Sequence, residues 1–257
     1  MDGVASARNE PLAKHHLAHR ITHDWEQAVR GALSDGSYKV QGSPGKGNWA
    51  ETVWLAVFDR MITKTAQRGF YVVYLVVKDG SRTYLSLKQG TTEILDRVGR
   101  ATYRKSLENT ATRDIGLLAS ENTDGLLTGP IDLDGSAPLT RGYEAGNIAA
   151  ILYERGRVPP ETKVEADLQR LLGLYQALAE ARDQVQADES DVDDPDQPAR
   201  TGIEARRYRW HRRAERNRSL ASDAKRIHGT RCQVKACGKE LGTVLGSSVT
   251  GTSRPIT

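Results

Sequence analysis

Apolar residues recur about every four positions from Pro11 to Leu33, at Leu12, Leu17, Ile21, Trp25, Val29 and Leu33. That spacing puts them on one face of a helix, and Ser-Asp-Gly at 34–36 ends it. The rhythm then shortens. Tyr38–Gly42, Thr52–Asp59, Gly69–Val77 and Arg82–Gly90 are rich in β-branched and aromatic residues and are separated by turn chemistry. Asp79-Gly80, inside "KDGS", is short enough to close a hairpin. Helical spacing returns over Thr92–Lys105, Arg113–Ser120 and Tyr143–Arg155. It is clearest over Pro160–Gln184, where Val164, Leu168, Leu171, Leu172, Tyr175 and Leu178 form one stripe. Helix, strands, then helices is the order of an α+β domain. The expectation is a mostly antiparallel central sheet of about four strands, with the helices on one side of it.

Charge divides the chain further. From Asp183 to Asp196 there are seven acidic residues and no basic one, followed by Pro198. A segment that repels itself and has little to bury reads as a flexible linker, here 183–200. Beyond it the sign reverses in "EARRYRWHRRAERNR", an arginine-rich helix able to present a positive face to phosphates or simply to stay solvated. No apolar run approaches the roughly 18 residues of a membrane span, and no signal-peptide pattern opens the chain, so a soluble cytoplasmic protein with no membrane partner is expected. The two cysteines, Cys232 and Cys237, are too few for a disulfide framework.

Candidate chemistry is sparse. There is no phosphate-binding P-loop, no GxSxG and no HExxH. His15, His16, His19 and His23 contain i, i+4 pairs that could hold a metal, but no carboxylate or cysteine cluster completes a site, and a polar helix face is the better reading. Two of the four tryptophans, Trp49 and Trp54, stand five residues apart beside "GSPGKGN". A tryptophan just before a strand, as Trp49 is, packs more often than it binds. The segment up to residue 182 thus reads as a binding module without a catalytic constellation.

In order along the chain, "GKGNWAETVWLAVFD", "GFYVVYLVV", "TYLSLKQGTT", "YEAGNIAAILY" and "DLQRLLGLY" resemble the N-terminal DNA-binding domain of the McrB type, the modified-cytosine reader of modification-dependent restriction systems. The resemblance covers about residues 10–182. It implies double-stranded DNA carrying modified cytosine of the 5-methyl type as partner, and base flipping as mechanism. Extruding a base costs a few kcal/mol, which pocket contacts must offset. The resemblance places Trp54, Tyr71 and Leu75 in the base pocket, with Lys46 at the position where the family carries a tyrosine between two glycines. Gly45, Gly47 and Asn48 form the loop that approaches the DNA. Because of the lysine, the preferred modification stays open. For Tyr71 and Leu75, strand alternation is equally compatible with plain core.

From about Glu204 the chain looks like the opening of an HNH nuclease, with a basic helix, then "HG", then Cys232 and Cys237. The cysteines are spaced more widely than in that family. The histidines that would hold a divalent metal and activate water do not follow them, and His211 and His228 precede the pair. The implied reading is an incomplete, truncated nuclease-like segment over 201–257, with no catalytic residues assignable and Cys232 and Cys237 only weak metal candidates. Arg206, Arg207, Arg212 and Arg213 are its expected DNA contacts. The expected function is recognition of modified duplex DNA as part of a restriction system, without a cofactor. The alternative is an HNH-type endonuclease that cleaves modified DNA with Mg or Mn, either itself or through a nuclease partner chain.

Overall fold

The computed structural model describes residues 3–33 and 36–190, with side chains to 185. The elements run α1 (Val4–Ala7), α2 (His16–His19), one π-helical turn (Arg20–Asp24), α3 (Trp25–Gly31), β1 (Tyr38–Lys46), β2 (Asn48–Asp59), β3 (Phe70–Val76) and β4 (Arg82–Gln89). They continue through α4 (Thr91–Val98), α5 (Tyr103–Leu117), β5 (Leu127–Thr128), α6 (Pro138–Ala145), β6 (Asn147–Glu154) and α7 (Glu161–Ser190). The described residues form an α+β fold around one sheet of six strands in the order β1-β2-β3-β4-β6-β5, every neighbouring pair antiparallel.

The sheet therefore has two strands beyond the four expected. β5 is a two-residue pairing with too little length for a periodic signal. β6 corrects the expected helix over Tyr143–Arg155. The helix stops at Gly146, and "NIAAILYE" runs antiparallel to β4 from Asn147 to Glu154. A short apolar run has no period that separates strand from helix, and cross-strand pairing decides it. The single helix expected over 11–33 starts only at His16 and is interrupted by the π turn. The helices expected over 92–105 and 113–120 become α4 and α5, divided at Gly99.

Antiparallel partners share a face, so the register divides the sheet side chains into two sets. One face carries Leu55, Val57, Phe70, Val72 and Tyr74. It is covered by α7, whose stripe of Leu168, Leu171, Leu172, Tyr175 and Leu178 is buried. Tyr175 packs edge-on against Phe70 with ring centres 5.4 Å apart, and its hydroxyl accepts from the Asp59 backbone N–H at 3.2 Å. Trp25 of α3 meets Tyr74 on the same side.

The other face carries Trp54, Ala56 and Phe58 of β2, Tyr71, Val73 and Leu75 of β3, and Tyr84, Ser86 and Lys88 of β4. α6 and the irregular strap 129–137 lie over it, so helices flank both faces rather than one. Thr52 donates to Thr140 across this boundary at 3.2 Å, and Arg82 reaches Asp132 of the strap at 3.1 Å. α7 continues to Ser190. The remainder of the expected linker and the whole 201–257 segment, with Arg206, Arg207, Arg212, Arg213, Cys232 and Cys237, lie outside the described residues. Among the described residues no helix is long and apolar enough to cross a membrane.

Candidate nucleic-acid interface

The stretch "GSPGKGNW" does not form a loose loop. β1 and β2 continue through it to a tight tip, where Lys46 pairs with Asn48 across Gly47. Gly47 has φ +77° and Gly45 φ +138°, backbone geometries that favour residues without a Cβ. At Gly45 the register also shifts, and a Cβ there would lie 2.1 Å from the Asn48 carbonyl oxygen. Only glycine fits. Lys46 and Asn48 are exposed on this tip.

The candidate pocket residues divide into three places. Trp54 and Leu75 are direct cross-strand partners, with Ser43 on the other side of Trp54. Trp54 is half-buried against the core, whereas Leu75 is only 1% exposed. Tyr71 shares their face but lies four residues along β3 from Leu75, about 13 Å at the usual strand rise. It is 2% exposed, packs on Phe58, and donates from its hydroxyl to the Ala66 carbonyl at 3.0 Å. Lys46 lies three residues beyond Ser43, about 10 Å along the strand from the row of Trp54. The fold thus joins Trp54 to Leu75, sets Tyr71 on the same face, and leaves Lys46 at the hairpin tip.

Trp49 serves as packing. Its indole N–H donates to the Glu10 carbonyl at 3.0 Å, and its ring meets His15 edge-on at 5.2 Å, holding the N-terminal segment against β2. His15 is itself occupied: Nδ1 accepts from the Leu17 N–H, and Nε2 lies 3.2 Å from Glu10. Among the described residues no three His, Cys, Asp or Glu side chains converge as a metal site.

The strap 129–137 closes the face above these residues through a set of polar anchors. Asn147, fully buried, donates to the carbonyls of Leu127 and Gly129 at 3.2 and 2.8 Å and accepts from Ser86 Oγ at 2.6 Å. Glu144 accepts from the Leu133 N–H at 2.9 Å. Glu51 accepts from the N–H groups of Ser136 and Ala137 at 3.0 and 2.7 Å, at the start of α6. Burial alone would raise the pKa of Glu51, but these bonds, with those from the Thr140 and Ser136 hydroxyls, outweigh it and hold the carboxyl down at about 2. The strap places the buried Ile131 and Leu133 in the main core. Tyr71 and Leu75 are both buried in the same core.

One sheet end collects cations. The hairpin tip, the β3–β4 turn and the end of β6 all lie there, bringing exposed Lys46, Lys78, Arg155 and Arg157 to the same end as half-buried Arg82. Asp132 and Glu154 pair with Arg82 and Arg157. A shallow cavity of about 340 Å³ opens between the end of β6 and α7, lined by Tyr153, Arg157, Lys163, Asp167 and Arg170. Its cations are already engaged: Lys163 binds Asp167, and Arg170 binds the carbonyls of Asn122 and Asp124. None of the candidate residues lines it.

Sequence reasoning passed over Lys88, Tyr143, Ser86 and Asn147, which the fold gathers beside Tyr71. Their one visible signal was phase: Tyr84, Ser86 and Lys88 alternate onto a single face of a strand that is otherwise apolar.

Neither a curated protein nor a solved structure matches the chain. A family model described as MrcB-like, N-terminal domain does match it, over residues 1–180, and these residues hold the hairpin tip, the sheet and the strap. The chain therefore belongs to the MrcB-like N-terminal domain family.

Proposed function

We propose that the domain spanning about residues 10–182 reads modified duplex DNA, of the 5-methylcytosine type, by turning the modified base out of the helix onto the strap-covered face of the sheet. The observation that carries this reading is the position of Trp54. It is a half-buried indole with part of its ring still accessible, cross-strand from Leu75, on a β-hairpin whose glycine tip projects from the same sheet. A backbone without Cβ atoms approaches the duplex closely, and the accessible part of a ring offers a stacking surface to a base that has left its helix. The exposed cations at this end of the sheet suit the phosphates on either side. The strap then acts as the cover that the extruded base displaces or slides beneath.

In this reading the acidic stretch that follows α7, to about residue 200, is a tether, and the 201–257 segment adds phosphate contacts through Arg206, Arg207, Arg212 and Arg213. The domain needs no cofactor to bind. A divalent metal enters only if cleavage is supplied by the nuclease-like segment or by a partner chain. The test is competition binding of the full chain to otherwise identical duplexes with and without 5-methylcytosine. Preferential binding to the modified duplex supports the reading, and equal affinity contradicts it.

A further inference from the structure

Lys88 is a buried cation that the reading above leaves without a role. It is 0% exposed and stands directly across from Tyr71. Its Nζ lies 5.2 Å from the ring centre of Tyr71 and 4.5 Å from that of Tyr143. An ammonium carries three N–H donors. The Gln89 carbonyl accepts from it at close range, but the other two acceptors, the hydroxyls of Tyr71 and Thr91, stand at 3.4 and 3.5 Å, at or beyond the edge of a useful bond. The groups facing it come from β3 (Tyr71), its own strand (Gln89), the first turn of α4 (Thr91) and α6 (Tyr143). Among the described residues no carboxylate pairs with it. Burial alone draws its pKa down to about 7.

Stability does not account for a lysine here. A buried charge without a counter-ion costs several kcal/mol, and an apolar side chain of similar length would fill the space without that penalty. The surroundings suggest another reason. The row Trp54–Leu75–Tyr84 and the row containing Tyr71 and Lys88 are separated by Ala56–Val73–Ser86–Ala150, a line of small side chains between larger ones. Ring stacking alone holds any base, because every base has a π face. Discrimination needs a polar group that is left unsatisfied by the wrong ligand.

We propose that Lys88 is a specificity-determining residue, whose amino group donates to a carbonyl or ring-nitrogen acceptor on the edge of the extruded base. This inference rests on the base-pocket reading and adds the polar contact that reading lacks. Bases that present an acceptor toward β4 are retained, and those that do not leave a buried donor unpaired. Because an ammonium donates more strongly than an amine, affinity for the modified duplex falls as pH rises from about 6 to 8.5.

The test uses the full chain and duplexes with and without 5-methylcytosine, titrated from pH 6 to 8.5 with wild type, Lys88→Met, Lys88→Gln and Trp54→Ala. The expected result is a loss of at least tenfold in modified-duplex affinity for Lys88→Met, with melting at or above the wild-type temperature. Lys88→Gln, which keeps a donor but no titration, retains part of the affinity and flattens the pH profile relative to wild type. Wild-type affinity and pH profile in Lys88→Met overturn the inference; if that variant does not fold, an unflattened profile in Lys88→Gln does so. Loss of preference in Trp54→Ala together with wild-type affinity in Lys88→Met removes Lys88 and leaves the pocket standing. Absence of any preference in wild type removes both.

Discussion

Trp54 and Leu75 face each other across β2 and β3, yet the indole is half-buried and the leucine is fully buried. The pair separates binding from stability. Leu75→Ala leaves a cavity in a close-packed core and is expected to cost about 2–5 kcal/mol. Trp54→Ala removes a larger but partly exposed ring, so its melting temperature should fall no further than that of Leu75→Ala, while its preference for modified DNA disappears. Thermal melting and competition binding on the two variants check this.

Gly45 tests the hairpin tip. Alanine there must either shift the Asn48 carbonyl or abandon φ +138°. Gly45→Ala is expected to destabilise the protein by about 1–3 kcal/mol, the cost of a strained backbone site. Gly47→Ala, with open space around the new Cβ and a left-handed φ, should cost about 1–2 kcal/mol and leave the register intact. Denaturant melts of the two variants distinguish a steric tip from a merely flexible one.

Much of this architecture was legible because periodicity survives in long elements. β3 reads as a continuous apolar run and is buried on both faces, and the α7 stripe predicted from spacing is the one that packs. β6 was misread because Ala149 and Ala150 sit comfortably in helices, and only the register with β4 makes "NIAAILYE" a strand. The strap left no trace for a different reason: irregular chain has no period, so the apolar run of β3 implies cover on both faces without showing what supplies it. Lys88 went unnoticed as a result. On a sheet open to solvent on that side, a lysine in phase with Ser86 is ordinary; beneath α4 and α6 it is a buried cation. Trp54, Tyr71 and Leu75 came from resemblance, and alternation alone showed only that Tyr71 and Leu75 share a face.

Glu51 gives the strap a pH signature. Its folded pKa of about 2 lies below the ordinary carboxylate value of 4.5. Its contribution to stability is therefore fully present above about pH 4.5 and is lost as pH falls toward 2. Wild type should lose more melting temperature than Glu51→Gln between pH 5 and 2.5, the two curves converging at the acid end. Parallel curves would show that the strap is anchored elsewhere.

Asp114 and Arg182 clamp α5 to α7. The carboxylate is 0% exposed and accepts from Arg182 Nε at 3.0 Å and again from Nη2, and the guanidinium lies 4.3 Å from the centre of the Phe70 ring. Removing one partner strands the other's charge. Asp114→Ala is expected to cost about 3–5 kcal/mol, whereas the double variant Asp114→Leu with Arg182→Met should recover much of it. Chemical denaturation of the single and double variants measures the difference.

The central claim is that a base leaves the duplex, and fluorescence of 2-aminopurine placed beside 5-methylcytosine reports it most directly, because that probe brightens when its stacking neighbour is withdrawn. Saturating wild-type protein should raise the emission of the modified duplex several-fold, and Trp54→Ala at saturation should raise it far less. Full binding with no change in emission would mean that every base stays stacked, and the account would be wrong.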